Sequence, residues 1–156
     1  MKLIVAAIGH RMPAWVQTAW EEYSRRFPRG VRLELKEIPM AKRSKNADID
    51  ALRKIEGDSL LAAAPPGYRV IALDETGKQW STIELAARLE NWMQEERGAC
   101  FLVGGPDGLP QVCREKANDV WSLGRLTLPH PLVRPILAEQ LYRAWTITQN
   151  HPYHRS

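Results

Sequence analysis

Short apolar runs alternate along the chain with longer segments in which apolar residues recur every three or four positions. Lys2–Ile8 is apolar almost without interruption, a pattern typical of a parallel strand buried on both faces. Residues 31–35 alternate between apolar and charged side chains and predict a second strand with one wetter face. Arg69–Leu73 and Ala99–Val103 are again short and apolar, and they predict a third and a fourth strand.

Helical periodicity separates these strands. A first helix is predicted over Pro13–Phe27, and a second over Asp48–Ala64, which Pro65-Pro66-Gly67 ends. A capping box at Ser81–Glu84 begins a third helix that runs to about residue 97. The positions expected to face the core are Trp15, Ala19, Tyr23 and Phe27 in the first helix, and Ile49, Leu52, Ile55 and Leu60 in the second.

Glycine and proline mark the turns beyond the third and fourth strands. Asp74–Lys78 predicts a turn, and the GGPDG segment Gly104–Gly108 ends the fourth strand. A short helix near Gln111–Asn118 precedes Trp121–Leu128, which is compatible with a strand or with an extended loop. A last helix is predicted over Leu132–Asn150.

Strands that alternate with helices at this spacing predict an α/β fold, a parallel sheet between two layers of helices that form a three-layer sandwich. Pro135 is tolerable in the last helix only within its first turn, where its missing N–H is not needed. The length of 156 residues favours one domain over residues 1–156, since no repeat or linker interrupts the pattern.

Composition adds a mild preference for an anionic partner. The net charge of +4 suits RNA, although many basic proteins bind none. No run approaches the roughly 20 apolar residues of a membrane span, and the N-terminal apolar run is too short for a signal peptide, so a cytoplasmic location is expected. Cys100 lies in an apolar run and is expected to be an inert core thiol; a redox pair with Cys113 is the alternative.

Candidate ligand-binding segments follow the predicted strands. Ligands of open parallel sheets bind beyond the carboxyl ends of the strands, where Leu73–Glu75, Gly104–Gly108 and Ser122–Leu128 stand. Glycine lets the backbone approach a ligand closely, although GGPDG is also compatible with a plain tight turn. Neither GxGxxG after the first strand nor GxxxxGK[ST] is present, which disfavours a dinucleotide fold and a P-loop phosphotransferase.

Two polar segments could contact nucleic acid. The terminal segment, residues 151–156, contains Tyr153, His154 and Arg155, which can stack on a base, move a proton and pair with phosphate, although a solvated end is the alternative. His151 and His154 are poorly spaced for zinc, and no metal is expected. The basic loop Lys42–Asn46 suits phosphate contacts and equally suits a solvated turn.

Several longer stretches match one known family. They are WVQTAWEEYSRRFP, KRSKNADI, LLAAA, IALDETGK, LVGGPDGL, WSLGRLTLPHPLVR, AEQLYRAW and the terminal NHPYHR. Through them the chain resembles, over essentially its whole length, the bacterial ribosomal RNA large subunit methyltransferase H family, pseudouridine N3-methyltransferases of the SPOUT superfamily. The combination of GGPDGL, LTLPHPLVR and HPYHR is specific, whereas each motif alone is not.

The resemblance implies a C-terminal trefoil knot, an exception to the rule that chains do not thread their own loops. It implies a homodimer whose substrate sites are made jointly by two protomers. The implied substrate is pseudouridine 1915 in helix 69 of 23S rRNA within the assembled ribosome, and the implied cofactor is S-adenosylmethionine. The residues that this resemblance places around the cofactor are Leu73, Gly104, Leu123, Gly124, Arg125, Leu126, Thr127 and Leu128.

The expected chemistry is a direct methyl transfer from the sulfonium to the ring N3, whose proton must be removed. We expect His154 to handle that proton, Arg155 to stabilise charge and Tyr153 to hold the base by stacking, with Glu139 a weaker candidate for the base. Two other functions remain open: a non-catalytic ribosome-binding or assembly factor, and a methyltransferase acting on tRNA.

Overall fold

A computed structural model describes the backbone of residues 1–155 and the side chains of residues 1–154. Within this part of the chain, five parallel strands form one sheet, and helices cover both of its faces. The strands are β1 (Lys2–Ile8), β2 (Arg32–Ile38), β3 (Tyr68–Gln79), β4 (Gly98–Val103) and β5 (Asp119–Ser122), and the helices are α1 (Ala14–Ser24), α2 (Ile49–Ala62), α3 (Thr82–Glu95), α4 (Gln111–Lys116) and α5 (His130–Thr148), followed by a 3-10 turn at Pro152–Arg155.

The sheet order is β2-β1-β4-β3-β5, with parallel pairing throughout. β1 therefore lies between two neighbours, and its side chains point alternately to opposite faces. Leu3 and Val5 enter one core cluster, while Ile4 and Ala6 enter the other. This arrangement confirms the predicted parallel three-layer α/β sandwich and explains why β1 is apolar at consecutive positions.

The two helical layers are unequal. α1, α3 and α5 share one core with the sheet, where Trp20, Leu89 and Leu137 are buried. α2 and α4 cover the opposite face through a smaller cluster that includes Leu60 and Cys113. The capping box at the start of α3 is confirmed, because the Ser81 hydroxyl accepts from the Glu84 N–H and the Glu84 carboxylate accepts from the Ser81 N–H.

The predicted inward faces of the first two helices are partly wrong. Ile55 is 58% exposed and Ile49 is also exposed, whereas Glu56 is buried. The cause is a polar contact, since the Glu56 carboxylate accepts hydrogen bonds from Arg43 and from the Ala41 N–H. In α1 the side chain of Trp15 is likewise exposed.

β3 is longer than predicted. The expected turn at Asp74–Lys78 is wrong, because the strand continues to Gln79, and its residues Lys78 and Gln79 pair with β5 again. The register shifts between Leu73 and Lys78, which is the signature of a bulge. Asp74 and Glu75 therefore leave the regular ladder beside the carboxyl end of β4.

α5 begins two residues earlier than predicted, at His130. Pro135 consequently lies inside the helix and not in its first turn, and the expectation for it is wrong. Its missing N–H leaves the Pro131 carbonyl without a helical partner. None of the helices described between residues 1 and 155 is long and apolar enough to cross a membrane.

Candidate functional site

A cavity of about 460 Å³ lies at the carboxyl edge of the sheet, beyond β3, β4 and β5. We call it the edge cavity. Its size falls in the range of sites for small molecules and cofactors. Its walls combine apolar side chains with backbone and charged groups, among them Leu73, Asp74, Gly104, Leu123, Leu128 and His130.

The backbone at Gly104 is too crowded for any side chain. A methyl group there would lie 2.4 Å from the carbonyl carbon of Gly108 and 2.5 Å from the Leu109 nitrogen. Gly104–Gly108 folds back on itself because only glycine allows this approach, and an isolated bridge pairs Gly105 with Gly108. The segment thus places backbone N–H and C=O groups on the cavity wall.

Most residues that the resemblance placed around the cofactor meet at this cavity. Leu73, Gly104, Leu123, Gly124, Leu126 and Leu128 line it, and Arg125 and Thr127 do not. Both of these side chains are exposed. Three segments separated by up to 55 positions in the chain therefore converge on one cavity.

Arginines that the sequence analysis did not single out hold the cavity rim. Arg114 pairs with Asp74 at 3.4 Å and donates to the Leu109 carbonyl at 3.0 Å. Arg53, from α2, donates to the same carbonyl at 3.2 Å. Arg114 lies 40 residues from Asp74 and Arg53 lies 56 residues from Leu109, so no local pattern could have revealed these two contacts.

The basic loop is tied to the same rim. Arg43 pairs with Asp107 of the glycine segment at 2.6 Å and with the buried Glu56 at 3.2 Å. Of the three cations expected to face phosphate, Arg43 thus makes internal contacts, while Lys42 and Lys45 remain exposed. The guanidinium of Arg43 thus connects the basic loop to the cavity wall.

The terminal segment packs elsewhere on the fold. The Tyr153 hydroxyl donates to Glu139 at 3.2 Å, and Arg143 pairs with the same carboxylate at 2.6 Å. Tyr153 also makes an edge contact with Tyr142, with ring centroids 4.8 Å apart. Burial, and then the Glu139 carboxylate, raise the pKa of the Tyr153 phenol, so it stays protonated and donates.

His154 lines a second cavity, which we call the side cavity, together with Thr82, Gln140 and Arg143. Its Nδ1 is buried and has no hydrogen-bond partner among the described residues. The side chain of Arg155 lies outside the described residues. The structure therefore does not bring Tyr153 or His154 to the edge cavity of their own chain. α5 contributes His130 and Val133 to that cavity and Gln140, Arg143 and Ile147 to the side cavity. The nearest of these residues, 133 and 140, are about 10 Å apart along the helix.

The edge cavity has the chemistry that S-adenosylmethionine requires. Leucines from three segments offer apolar surface for an adenine, and Asp74, Glu75 and Asp107 offer acceptors for its charged groups.

One family model matches almost the whole chain. It is described as a predicted SPOUT methyltransferase, and it covers residues 1–154. Enzymes of this kind generally methylate RNA with S-adenosylmethionine, in agreement with the cavity just described. The chain belongs to the SPOUT methyltransferase family.

Proposed function

We propose that the chain transfers a methyl group from S-adenosylmethionine to N3 of pseudouridine 1915 in helix 69 of 23S rRNA, within the assembled ribosome. The observation that carries this proposal is the convergence of Leu73, Gly104 and the 123–128 segment on one cavity of cofactor size. The family supports methyl transfer to RNA, and the motifs GGPDGL, LTLPHPLVR and HPYHR favour this particular substrate.

The bound cofactor would supply an activated methyl group. The chain's own task is then to bind and orient two reactants, which can lower the barrier by several kcal/mol. Leu73, Leu123 and Leu128 would hold the apolar part of the cofactor, and the backbone at Gly104 would fix its orientation. The trefoil knot implied by the resemblance stays a prediction.

A homodimer completes the proposed site. Tyr153 and His154 lie away from the edge cavity of their own chain, so a second protomer would have to present them. Ile83 is 73% exposed beside the side cavity, and Leu126 is 80% exposed at the edge cavity. Both apolar side chains would be covered in a dimer that joins one protomer's terminal segment to its partner's cavity.

In that dimer Tyr153 would stack on the target base, and Arg155 would stabilise the charge that develops on it. His154 would meet the RNA from the side cavity, which it lines. Removing residues 151–156 should therefore abolish turnover while cofactor binding is kept. A truncated chain with normal turnover would contradict these roles.

The decisive experiment is mass mapping of 23S rRNA after unmethylated ribosomes are incubated with the protein and S-adenosylmethionine. The proposal expects one added methyl group, at pseudouridine 1915. Methylation of free tRNA but not of ribosomes would favour a tRNA enzyme. Ribosome binding without cofactor binding, measured by calorimetry on the folded protein, would favour an assembly factor.

A further inference from the structure

The edge cavity contains an imidazole that the proposed mechanism has not used. His130, the first residue of α5, lines this cavity. Among the described residues, His10 and His151 are exposed, and His154 lines the side cavity. His130 is therefore the one described histidine beside the proposed cofactor position.

The ring of His130 lies near the loop after β1. A methyl group added to Gly9 would lie 3.9 Å from the ring Cε1. Behind it, the buried Arg134 donates to the Gly9 carbonyl at 2.8 Å and pairs with Glu37 at 2.8 Å. Arg134 also donates to the Ile8 carbonyl, so the helix that carries His130 is anchored to β1 and β2.

Its surroundings keep the imidazole neutral. Burial, and then the Arg134 charge one helical turn away, lower the pKa of His130. The positive end of the α5 dipole acts in the same direction. On the loop after β1 the neighbouring charges are the exposed His10 and Arg11, and on β2 Glu37 is already paired with Arg134.

Two of the three carboxylates on the cavity wall are paired with arginines. Asp74 is bound by Arg114, and Asp107 by Arg43. Arg53 donates to a backbone carbonyl, and Glu75 is exposed. Free carboxylates have pKa values near 4 and are weak proton acceptors, whereas a neutral imidazole is a better one at neutral pH.

We infer that His130 accepts the N3 proton of the target base as the methyl group is transferred. The inference rests on the proposed function. A ring nitrogen of His130 takes the proton, and the electron pair of the N3–H bond forms the new bond to the methyl carbon. The carbon–sulfur bond breaks with its electrons on sulfur, leaving the neutral thioether S-adenosylhomocysteine and an imidazolium, so the single positive charge moves from sulfur to His130.

An NMR titration of the imidazole signals tests the geometry without turnover. The pKa of His130 should lie below the usual value of about 6.5. Adding S-adenosylmethionine should lower it further, because the sulfonium charge lies nearby. S-adenosylhomocysteine, which lacks that charge, should lower it less, and the exposed His10 serves as the internal control. Equal shifts with both ligands, or none, would overturn the inference.

Kinetics then separates His130 from His154. Neutral His130 is the active form, so wild-type kcat/KM should fall as the pH drops through its lowered pKa. In His130→Gln this acid limb should vanish and kcat should fall about 10²- to 10⁴-fold, the usual contribution of a general base. Affinity for S-adenosylmethionine, measured by calorimetry, should stay within about twofold, because Gln removes the proton acceptor and keeps the polar side chain.

His154→Gln is the matched comparison. It should lower turnover yet keep the acid limb, because the inference assigns proton removal to His130. An acid limb that persists in His130→Gln and disappears in His154→Gln would overturn the inference alone. A wild-type protein that binds the cofactor and leaves ribosomes unmethylated would refute the proposed function, and the inference with it.

Discussion

Gly104→Ala should disrupt the edge cavity more than the addition of a single methyl group suggests. The added methyl group would lie 2.4 Å from the Gly108 carbonyl carbon and 2.5 Å from the Leu109 nitrogen. Both are backbone atoms, so the clash cannot be relieved by rotating a side chain. The glycine segment must open instead, and overpacking of this kind costs about 1–3 kcal/mol.

Two measurements should detect this opening of the glycine segment. At roughly 2–4 °C per kcal/mol for a chain of this length, the melting temperature should fall by about 2–12 °C. The same segment carries Asp107 and Gly108 on the cavity wall, so its movement should weaken S-adenosylmethionine binding. We expect Kd to rise at least about tenfold, a change of about 1.4 kcal/mol.

Gly30→Ala is the control. Gly30 has φ +96°, with no atom within 4 Å of an added methyl group, and it precedes β2 at the opposite edge of the sheet. Its strain should cost about 1–2 kcal/mol of stability and leave cofactor affinity unchanged. A Gly104→Ala protein with wild-type Kd and melting temperature would refute the close approach deduced for this segment.

Two further predictions concern buried groups. Arg43→Ala leaves the buried Glu56 without its ion-pair partner and frees Asp107, so the free energy of unfolding measured by chemical denaturation should fall by about 1–3 kcal/mol. Arg43→Lys should recover part of this loss. Unchanged stability in Arg43→Ala would contradict a stabilising role for these two ion pairs. Burial raises the pKa of Cys100 to about 12 and that of Cys113 to about 11. Neither thiol should therefore react with Ellman's reagent at pH 8 until the protein is denatured. Rapid labelling of the native protein would contradict the burial of these thiols.

The parts of the fold that local pattern determines were predictable. β1 is apolar on both faces because it lies between β2 and β4, and the α3 capping box needs only Ser81 and Glu84. The predictions were wrong where the structure depends on contacts with residues distant in the chain. Ile55 turns outward because Arg43 draws Glu56 inward, and β3 extends past Asp74 because β5 pairs with it again after the bulge. No local window contains these partners.

The residues of the candidate site likewise fall into two groups, those that the sequence indicated and those that it did not. The glycine segment and the 123–128 segment could be found, since glycine at strand ends has a direct physical meaning. Arg53 and Arg114, which hold the rim, look in the sequence like ordinary surface cations. Arg43 belongs to a basic loop that suited phosphate contacts or a solvated turn, and its internal ion pairs were not predicted. His130 was not among the candidate residues, although it is the first residue of α5 and lies on the cavity wall.

The separation of the terminal segment from the edge cavity of its own chain leads to a prediction about mixed dimers. Gly104→Ala keeps its terminal segment and damages its cavity, whereas a chain lacking residues 151–156 keeps its cavity. Each homodimer should be nearly inactive when the cofactor is far below the Kd of Gly104→Ala. If the terminal segment of one protomer completes the cavity of its partner, random mixing makes half of the dimers mixed, and each mixed dimer has one intact site. Mixing should then restore about a quarter of wild-type turnover.

This recovery of turnover should require subunit exchange, and it should vanish when the two variants are mixed without refolding. A refolded mixture that contains mixed dimers and stays inactive would place both halves of the site in the same chain. The terminal segment would then have to leave Glu139 and Arg143 to reach the edge cavity of its own chain.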